Sequence, residues 1–146
     1  MRRRALAAAT GLALLSGCSH IVVHHDPLSA AEHNDLGVAY ESRHQPALAE
    51  REYKNALRKD RHFATARVNL GNLAAQSGRW RRAEQCYRRA LRERPADADA
   101  MNNLAVALLR QDKSLGEAES LATRAVTASG DSAYRATLDE VRRARR

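Results

Sequence analysis

The chain repeats the same residue types every 34 residues, and this period limits its fold more than any other feature. Each period has a leucine followed by a small residue, then an alanine and, in the first two periods, a tyrosine. The positions are Leu36, Gly37, Ala49 and Tyr53, then Leu70, Gly71, Ala83 and Tyr87, then Leu104, Ala105 and Ala118. The last alanine comes one residue late, which indicates a longer turn before it. A fixed period of this length predicts a helix–turn–helix unit, used three times.

The spacing also predicts how the two helices of a unit pack. The leucines are core residues of the first helix, and a small residue follows each because the second helix crosses there. The alanine of the second helix allows the same close approach. The tyrosines lie one turn further along that face and fill the space towards the next unit. Because such units bury apolar surface only against their neighbours, we expect one domain with a shared core.

The period and these residues resemble the tetratricopeptide repeat (TPR) family over residues 30–130. The resemblance implies an all-α solenoid of three TPR units, at about 30–63, 64–97 and 98–131, within a repeat domain of residues 29–130. A capping helix with a basic tail would close the array at residues 131–146. The sequence departs from the family pattern at His33, Arg67, Met101 and Ala122, where an aromatic is favoured, and at Arg61, where proline is favoured.

Capping boxes, a proline and two glycines mark the ends of the helices. They are Ser29 with Glu32, Ser114 with Glu117, Pro46, Gly78 and Gly130. We expect helices at about 29–43, 46–59, 62–76, 79–93, 97–111, 115–128 and 131–144. In the last helix the apolar stripe is Ala133, Thr137, Leu138 and Val141, and Asp131 is the predicted cap.

The first 28 residues predict export and a lipid anchor. Three arginines precede an apolar run, Ala5 to Leu15, of 11 residues. As a helix this run would span about 17 Å, which is too short for a bilayer core of about 30 Å. We therefore interpret residues 1–17 as a signal peptide. Residues 15–18, Leu-Ser-Gly-Cys, resemble the bacterial lipobox, which implies that Cys18 is lipidated and that residues 18–28 form a tether.

The alternative is an ordinary cleaved signal peptide in which Cys18 is incidental. Where the lipobox resemblance holds, it implies a bacterial cell envelope protein. Ser19 stands where an aspartate would favour retention in the inner membrane, so we expect the outer membrane, facing the periplasm.

The formal net charge is +8. A basic balance suggests nucleic acid, an anionic membrane or acidic partners. Because an exported protein does not meet chromosomal DNA, we expect no nucleic-acid partner and attribute the arginines to solvated helix faces or anionic headgroups. His20, His24, His25 and Asp26 cluster in the tether, but a short tether offers ligands no rigid support, so we predict no metal site. Cys86 would be the one thiol left after lipidation, either a packing residue or a site of intermolecular disulfide formation.

No catalytic motif is present, so we predict neither an enzyme nor a cofactor. Glu84 and Glu119 are interpreted as ordinary exposed helix carboxylates.

The TPR resemblance implies a concave groove, lined by the first helices, that binds a peptide segment. The candidate residues are Asp35, Val38, Asn69, Asn72, Asn103, Val106 and Arg110, with Asn34, Glu41, Val68, Gln76 and Asn102 beside them. Asp35, Asn69 and Asn103 recur at 34-residue spacing and form a predicted ladder. An amide both donates and accepts, so this row would pair with a peptide backbone. The equally weighted alternative is that these asparagines only pack helices together.

Two functions follow as hypotheses. The favoured one is a lipid-anchored envelope adaptor whose groove binds a segment of another envelope protein during complex assembly, in pilus, secretion or similar systems. The alternative is a self-associating structural lipoprotein without a peptide ligand, because a short array leaves its terminal faces exposed.

Overall fold

The computed structural model describes residues 26–146, which form seven α-helices joined by short turns. The helices are α1 Ala30–Ser42, α2 Pro46–Lys59, α3 Ala64–Gln76, α4 Trp80–Glu93, α5 Ala98–Leu109, α6 Leu115–Ser129 and α7 Ser132–Ala144. Within this range there is no strand. The predicted signal peptide, the lipidation site Cys18 and tether residues 19–25 lie outside the described residues. None of the helices in the described part is long and apolar enough to cross a membrane.

The helices pack as three hairpins, α1 with α2, α3 with α4 and α5 with α6. The second helix of each hairpin packs against the first helix of the next hairpin: α2 contacts α3, and α4 contacts α5. The last helix, α7, packs on both α6 and α5 and so covers the end of the array. This arrangement confirms the predicted all-α solenoid of helix–turn–helix units.

Alanine and tyrosine fill the interfaces between helices. In the second helices, alanines seven residues apart are fully buried: Ala49 and Ala56, Ala83 and Ala90, and Ala118 and Ala125. Tyr53, Tyr87 and Ala122 lie between them on the same face and are also buried. Tyr53 shares one hydrophobic cluster with Leu70 and Leu73 of the next unit. The second, larger cluster joins the later units to α7 through Leu138 and Val141.

The small residue after each leucine makes room for an aromatic ring. A Cβ atom built on Gly37 would overlap the ring of Tyr53, and one on Gly71 would overlap the ring of Tyr87. Glycine is therefore needed at these positions to make space for the tyrosine ring, and not only to let the second helix approach closely. From the sequence, the glycines were explained only by the close crossing of the second helix, and their contact with the tyrosine rings was not predicted.

Leu36 is less buried than its counterparts. Leu70 and Leu104 lie in the core, whereas Leu36 is only partly buried. Within residues 26–146 no helix covers the outer side of α1, so the predicted core position lacks the preceding unit that Leu70 and Leu104 pack against. The predicted stripe on α7 also needs correction, since Ala133 is exposed and Tyr134 is partly buried in its place.

One of the two predicted capping boxes forms. The Ser29 side chain accepts a hydrogen bond from the Glu32 amide at 3.2 Å, and the Glu32 carboxylate accepts from the Ser29 amide at 2.8 Å. At Ser114 the prediction was wrong, because its φ is +49° and its side chain makes no cap hydrogen bond. The turn before α6 carries one extra residue and accommodates it with left-handed backbone at Asp112 and Ser114. An N-cap side chain reaches the helix amides from extended backbone, which Ser114 does not have.

Candidate functional site

Three adjoining recesses run along the first helices. The first has a volume of about 410 Å³ and lies between α1 and α3, with Glu41, Leu73 and Gln76 in its wall. The second, of about 340 Å³, shares Gln76 with it and reaches Asn103 and Val106 on α5. The third, of about 320 Å³, shares Asn72 and Asn103 with the second and ends at Asp97 and Asp99. Because neighbouring recesses share wall residues, they form one continuous surface, which we call the groove.

Amide side chains bridge the helices along the groove. The Asn69 amide nitrogen donates to the Asn34 side-chain oxygen at 2.9 Å, which joins α3 to α1. The Asn103 amide nitrogen donates to the Asn72 oxygen at 3.1 Å, which joins α5 to α3. Tyr87 donates to that same Asn72 oxygen at 2.9 Å. Each of these two amide pairs therefore links two repeats.

Two members of the predicted ladder, Asn69 and Asn103, take part in these pairs, and the pairing of the ladder of Asp35, Asn69 and Asn103 with a peptide stays a prediction. The residues that bond are separated by 35 and 31 positions, and Asp35 is exposed without a hydrogen-bond partner among residues 26–146. The physical reason is helix rotation: residues one period apart occupy equivalent places, and equivalent places on neighbouring helices do not face each other. The asparagines thus take part in helix packing, and Asn69 and Asn103 stay partly exposed.

The other predicted groove residues fall at different places along the surface. Val38 on α1 is the most exposed large apolar side chain of the described chain, at 49 %. Val106 is partly buried in the middle recess. Arg110 lies at the end of α5 and forms an ion pair with Glu140 of α7 at 3.1 Å. Their role in binding stays a prediction.

The first helices carry mostly acidic charge. Their charged residues are Glu32, Asp35, Glu41 and Asp99 against one arginine, Arg67. Glu41 accepts a hydrogen bond from Tyr53. Asp99 accepts one from Tyr134 and thereby raises the pKa of that phenol to about 12. The groove therefore offers amides and carboxylates and lacks a cluster of lysines that would bind a carboxylate.

Glu84 is not the exposed carboxylate that the sequence predicted. Its side chain is only 6 % exposed and accepts from Arg88 at 2.9 Å, from Lys113 at 3.0 Å and from Gln111 at 3.0 Å. Burial raises the pKa of Glu84, but these hydrogen bonds outweigh burial and lower it below the ordinary value. The carboxylate ties α4 to the α5–α6 turn. The sequence signal that could have found it is Lys113, a lysine in that turn whose ammonium bonds to Glu84 of the preceding unit.

A second buried ionic cluster holds the start of the described chain. His33 is 2 % exposed and lies between two carboxylates, Glu52 at 2.9 Å and Asp26 at 2.7 Å. Lys59 also contacts Asp26 at 3.9 Å. The family pattern favours an aromatic residue at position 33. The histidine found there instead joins the tether to α2. Within the described residues no group of three or more histidine, cysteine or acidic side chains is placed to hold a metal ion.

Cys86, on α4, is a free and partly buried thiol. Burial raises its pKa, which lowers the fraction of reactive thiolate. This placement agrees with the packing interpretation of the sequence.

The fold and the groove define a class of protein: an α-solenoid of helical hairpins whose first helices line an open groove. The sequence matches the tetratricopeptide repeat family over residues 34–80 and 68–133. Because these matches together span most of the chain, the protein belongs to the tetratricopeptide repeat family. Proteins of this kind interact with other proteins.

Solved structures agree with this assignment. One similar structure is the first TPR of Spaghetti (RPAP3) bound to the HSP90 peptide SRMEEVD, with a TM-score of 0.75 and 16 % identity, covering 84 % of this chain and 97 % of that chain. Another is PilF of Pseudomonas aeruginosa, with a TM-score of 0.72 and 24 % identity. The match covers 82 % of this chain and 55 % of the PilF chain, so this protein spans about half of that structure. At these identities the likeness shows the fold alone. A comparison with curated protein sequences gives no match.

Proposed function

We propose that this protein is a lipid-anchored cell-envelope adaptor whose groove binds an extended segment of a partner protein during assembly of an envelope complex. The observation that carries the proposal is the continuity of the groove across all three units, with partly exposed amides at Asn69 and Asn103. Amides can pair with a peptide backbone whatever its side chains are. A similar fold, the first TPR of Spaghetti, holds a peptide, which supports this use of the groove.

The charge of the first helices, which line the groove, limits the kind of partner segment that can bind. That Spaghetti structure holds a peptide with several acidic residues, whereas the first helices here carry Asp35, Glu41 and Asp99 and no lysine. Like charges facing each other oppose binding. We therefore propose a neutral or basic segment with an apolar residue that contacts Val38.

A photo-crosslinking residue at position 38 tests the groove in cells. We expect it to crosslink one membrane-fraction partner, while the same residue at Gln85, exposed on the opposite helix layer, does not. Substituting Asn69→Ala together with Asn103→Ala should weaken the crosslink at least tenfold, with thermal unfolding recorded to show that the chain still folds. Equal crosslinking at positions 38 and 85, or none at 38, would count against the groove.

The lipid anchor rests on the lipobox resemblance and has its own test. Intact mass and membrane flotation of the wild-type protein are compared with those of a Cys18→Ala variant. We expect acyl mass and flotation with the outer membrane for the wild type only. An unmodified, non-floating wild type would remove the anchor and the envelope location together, and partners in the cytoplasm would then have to be considered.

A second candidate function is self-association, which the open outer side of α1 favours through partly exposed Leu36 and Tyr40. Ultracentrifugation across a wide concentration range separates the two candidates. A protein that stays monomeric at high concentration excludes the structural role, whereas concentration-dependent assembly that Leu36→Ser abolishes would favour it.

A further inference from the structure

Positive charge is concentrated on one helix of the outer layer. Helix α4 has arginines at 81, 82, 88, 89 and 92 against only Glu84 and Glu93. Arg82 pairs with Glu50 of α2, and Arg88 pairs with Glu84 and with Glu117 of α6. Glu50 of α2 and Glu117 of α6 are therefore already paired with these two arginines.

The other three arginines are exposed and have no ion pair or side-chain hydrogen bond within residues 26–146. They are Arg81, Arg89 and Arg92, and we call them the arginine face. At 100° per residue they lie on the side of α4 opposite buried Ala83, Tyr87 and Ala90. From Arg81 to Arg92 they extend along about 17 Å of helix. All three side chains can thus reach a single plane outside the solenoid.

The described chain begins against the end of α2. The Lys59 ammonium, at the end of α2, donates to the Asp26 carbonyl oxygen. The residue before it, Arg58, is exposed and bonds only to Asn55 among the described side chains. Arg58 is the counterpart of Arg92 one 34-residue period earlier. Cys18 precedes Asp26 by eight residues, which reach at most about 29 Å when extended.

We infer that the arginine face docks on the anionic phospholipid surface to which the proposed lipid anchor attaches the chain, so that α4 lies along the bilayer and the groove points away from it. A bilayer presents a plane of phosphate groups, and arginine binds phosphate through two parallel N–H donors. Basic side chains near an anionic bilayer each add to the attraction, which salt screens. The docking fixes which side of the molecule an envelope partner can approach.

The orientation of α4 on the bilayer rests on the proposed lipid anchor. Binding of the arginine face to phospholipid can be measured on a chain that lacks this anchor. A chain that begins at Ser19 keeps every contact described from Asp26 onwards and lacks both the apolar run and Cys18. Co-sedimentation of this chain is measured with phosphatidylcholine vesicles and with vesicles that also contain phosphatidylglycerol, and the bound fractions are compared. We expect binding only to the anionic vesicles, lost when salt rises to about 0.5 M.

Matched variants decide whether the face or the net charge is responsible. Arg81→Gln, Arg89→Gln and Arg92→Gln together should weaken vesicle binding by about tenfold or more. The control, Arg43→Gln, Arg135→Gln and Arg143→Gln, removes the same charge from exposed positions elsewhere and should leave most of the binding. Equal losses in both variants, or binding to neutral vesicles, would overturn the inference.

Two further outcomes separate this inference from its alternatives. If the chain binds no vesicle but forms oligomers that the α4 variant disrupts, the face meets the acidic first helices of a second copy, and the bilayer is excluded. If anionic vesicles bind while the wild-type chain shows no acyl mass, the docking stands and the proposed anchor fails.

Discussion

At residue scale, the interior of each unit is a matched pair of side-chain sizes. Gly37 and Gly71 have no side chain, and the rings of Tyr53 and Tyr87 occupy that space. The third unit has alanine at both places, Ala105 and Ala122, and both are fully buried. A glycine on the first helix allows a tyrosine on the second. In the third unit both places hold alanine, so no aromatic ring lies at this position between α5 and α6.

Gly71→Ala tests this size matching. Alanine is the better helix former by about 1 kcal/mol, yet we expect a net destabilisation of about 1–3 kcal/mol because the new methyl group overlaps the Tyr87 ring. Chemical denaturation measures the change, and in a Tyr87→Ala background the cost of Gly71→Ala should disappear. As a control, Gly116→Ala, where a Cβ meets nothing within 4 Å, should stabilise the chain. Additive effects of the Gly71 and Tyr87 substitutions would show that the ring is not the cause.

At the scale of the helix, ends that look alike in sequence differ in backbone. Ser29 has extended backbone and caps α1, whereas Ser114 has left-handed backbone and caps nothing. The local pattern Ser-x-x-Glu is the same in both places. What differs is the turn before each serine, and in the second case the glutamate, Glu117, accepts two hydrogen bonds from Arg88 of the preceding unit, at 2.5 and 2.8 Å.

Serine substitutions at the two ends should therefore have opposite effects. Ser29→Ala should cost about 1 kcal/mol because the Glu32 amide loses its partner. Ser114→Gly should be neutral or stabilise the fold by up to about 1 kcal/mol, because glycine adopts positive φ without strain. Thermal unfolding of both variants measures this contrast. A loss at Ser114→Gly as large as that at Ser29→Ala would mean that its side chain does cap α6.

At the scale of the whole molecule, buried carboxylates join parts of the chain that are distant in sequence. Glu84 joins α4 to the α5–α6 turn, and Glu52 joins α2 to His33 of α1, which also bonds to Asp26 at the start of the described residues. For both carboxyl groups, burial raises the pKa and hydrogen bonds lower it by more than burial raises it, so the pKa is lowered overall. A carboxyl group with a lowered pKa in the folded state stabilises the fold above its unfolded pKa, and that stability is lost as the pH falls.

We expect unfolding to become easier as the pH falls below the ordinary glutamate pKa of 4.5. Glu84→Gln should destabilise the chain at neutral pH by about 1–3 kcal/mol, because Arg88 and Lys113 lose a charged acceptor. The same variant should show a smaller further loss between neutral pH and pH 4. Urea denaturation across that range provides the measurement, with exposed Asp139→Asn as control. An unchanged pH dependence in Glu84→Gln would show that other carboxyl groups dominate.

Much of the fold follows from local patterns in the sequence. Helix lengths, the cap at Ser29 and the break at Gly130 depend on residues within one or two turns of each other, and the hairpin repeat follows from the 34-residue period. The candidate groove could be assigned to the first helices on the same grounds. Its internal bonding could not, because the Asn34–Asn69 and Asn72–Asn103 pairs depend on how neighbouring helices are rotated.

The sequence by itself determined the period, the helices and the small residues that let them approach, because each can be read from the spacing of residue types along the chain. Only the tertiary structure decided which asparagines bond, that Glu84 and His33 are buried, and that Ser114 does not cap. Those outcomes depend on which side chains meet in space and on the backbone of one turn, and the spacing of residue types along the chain states neither.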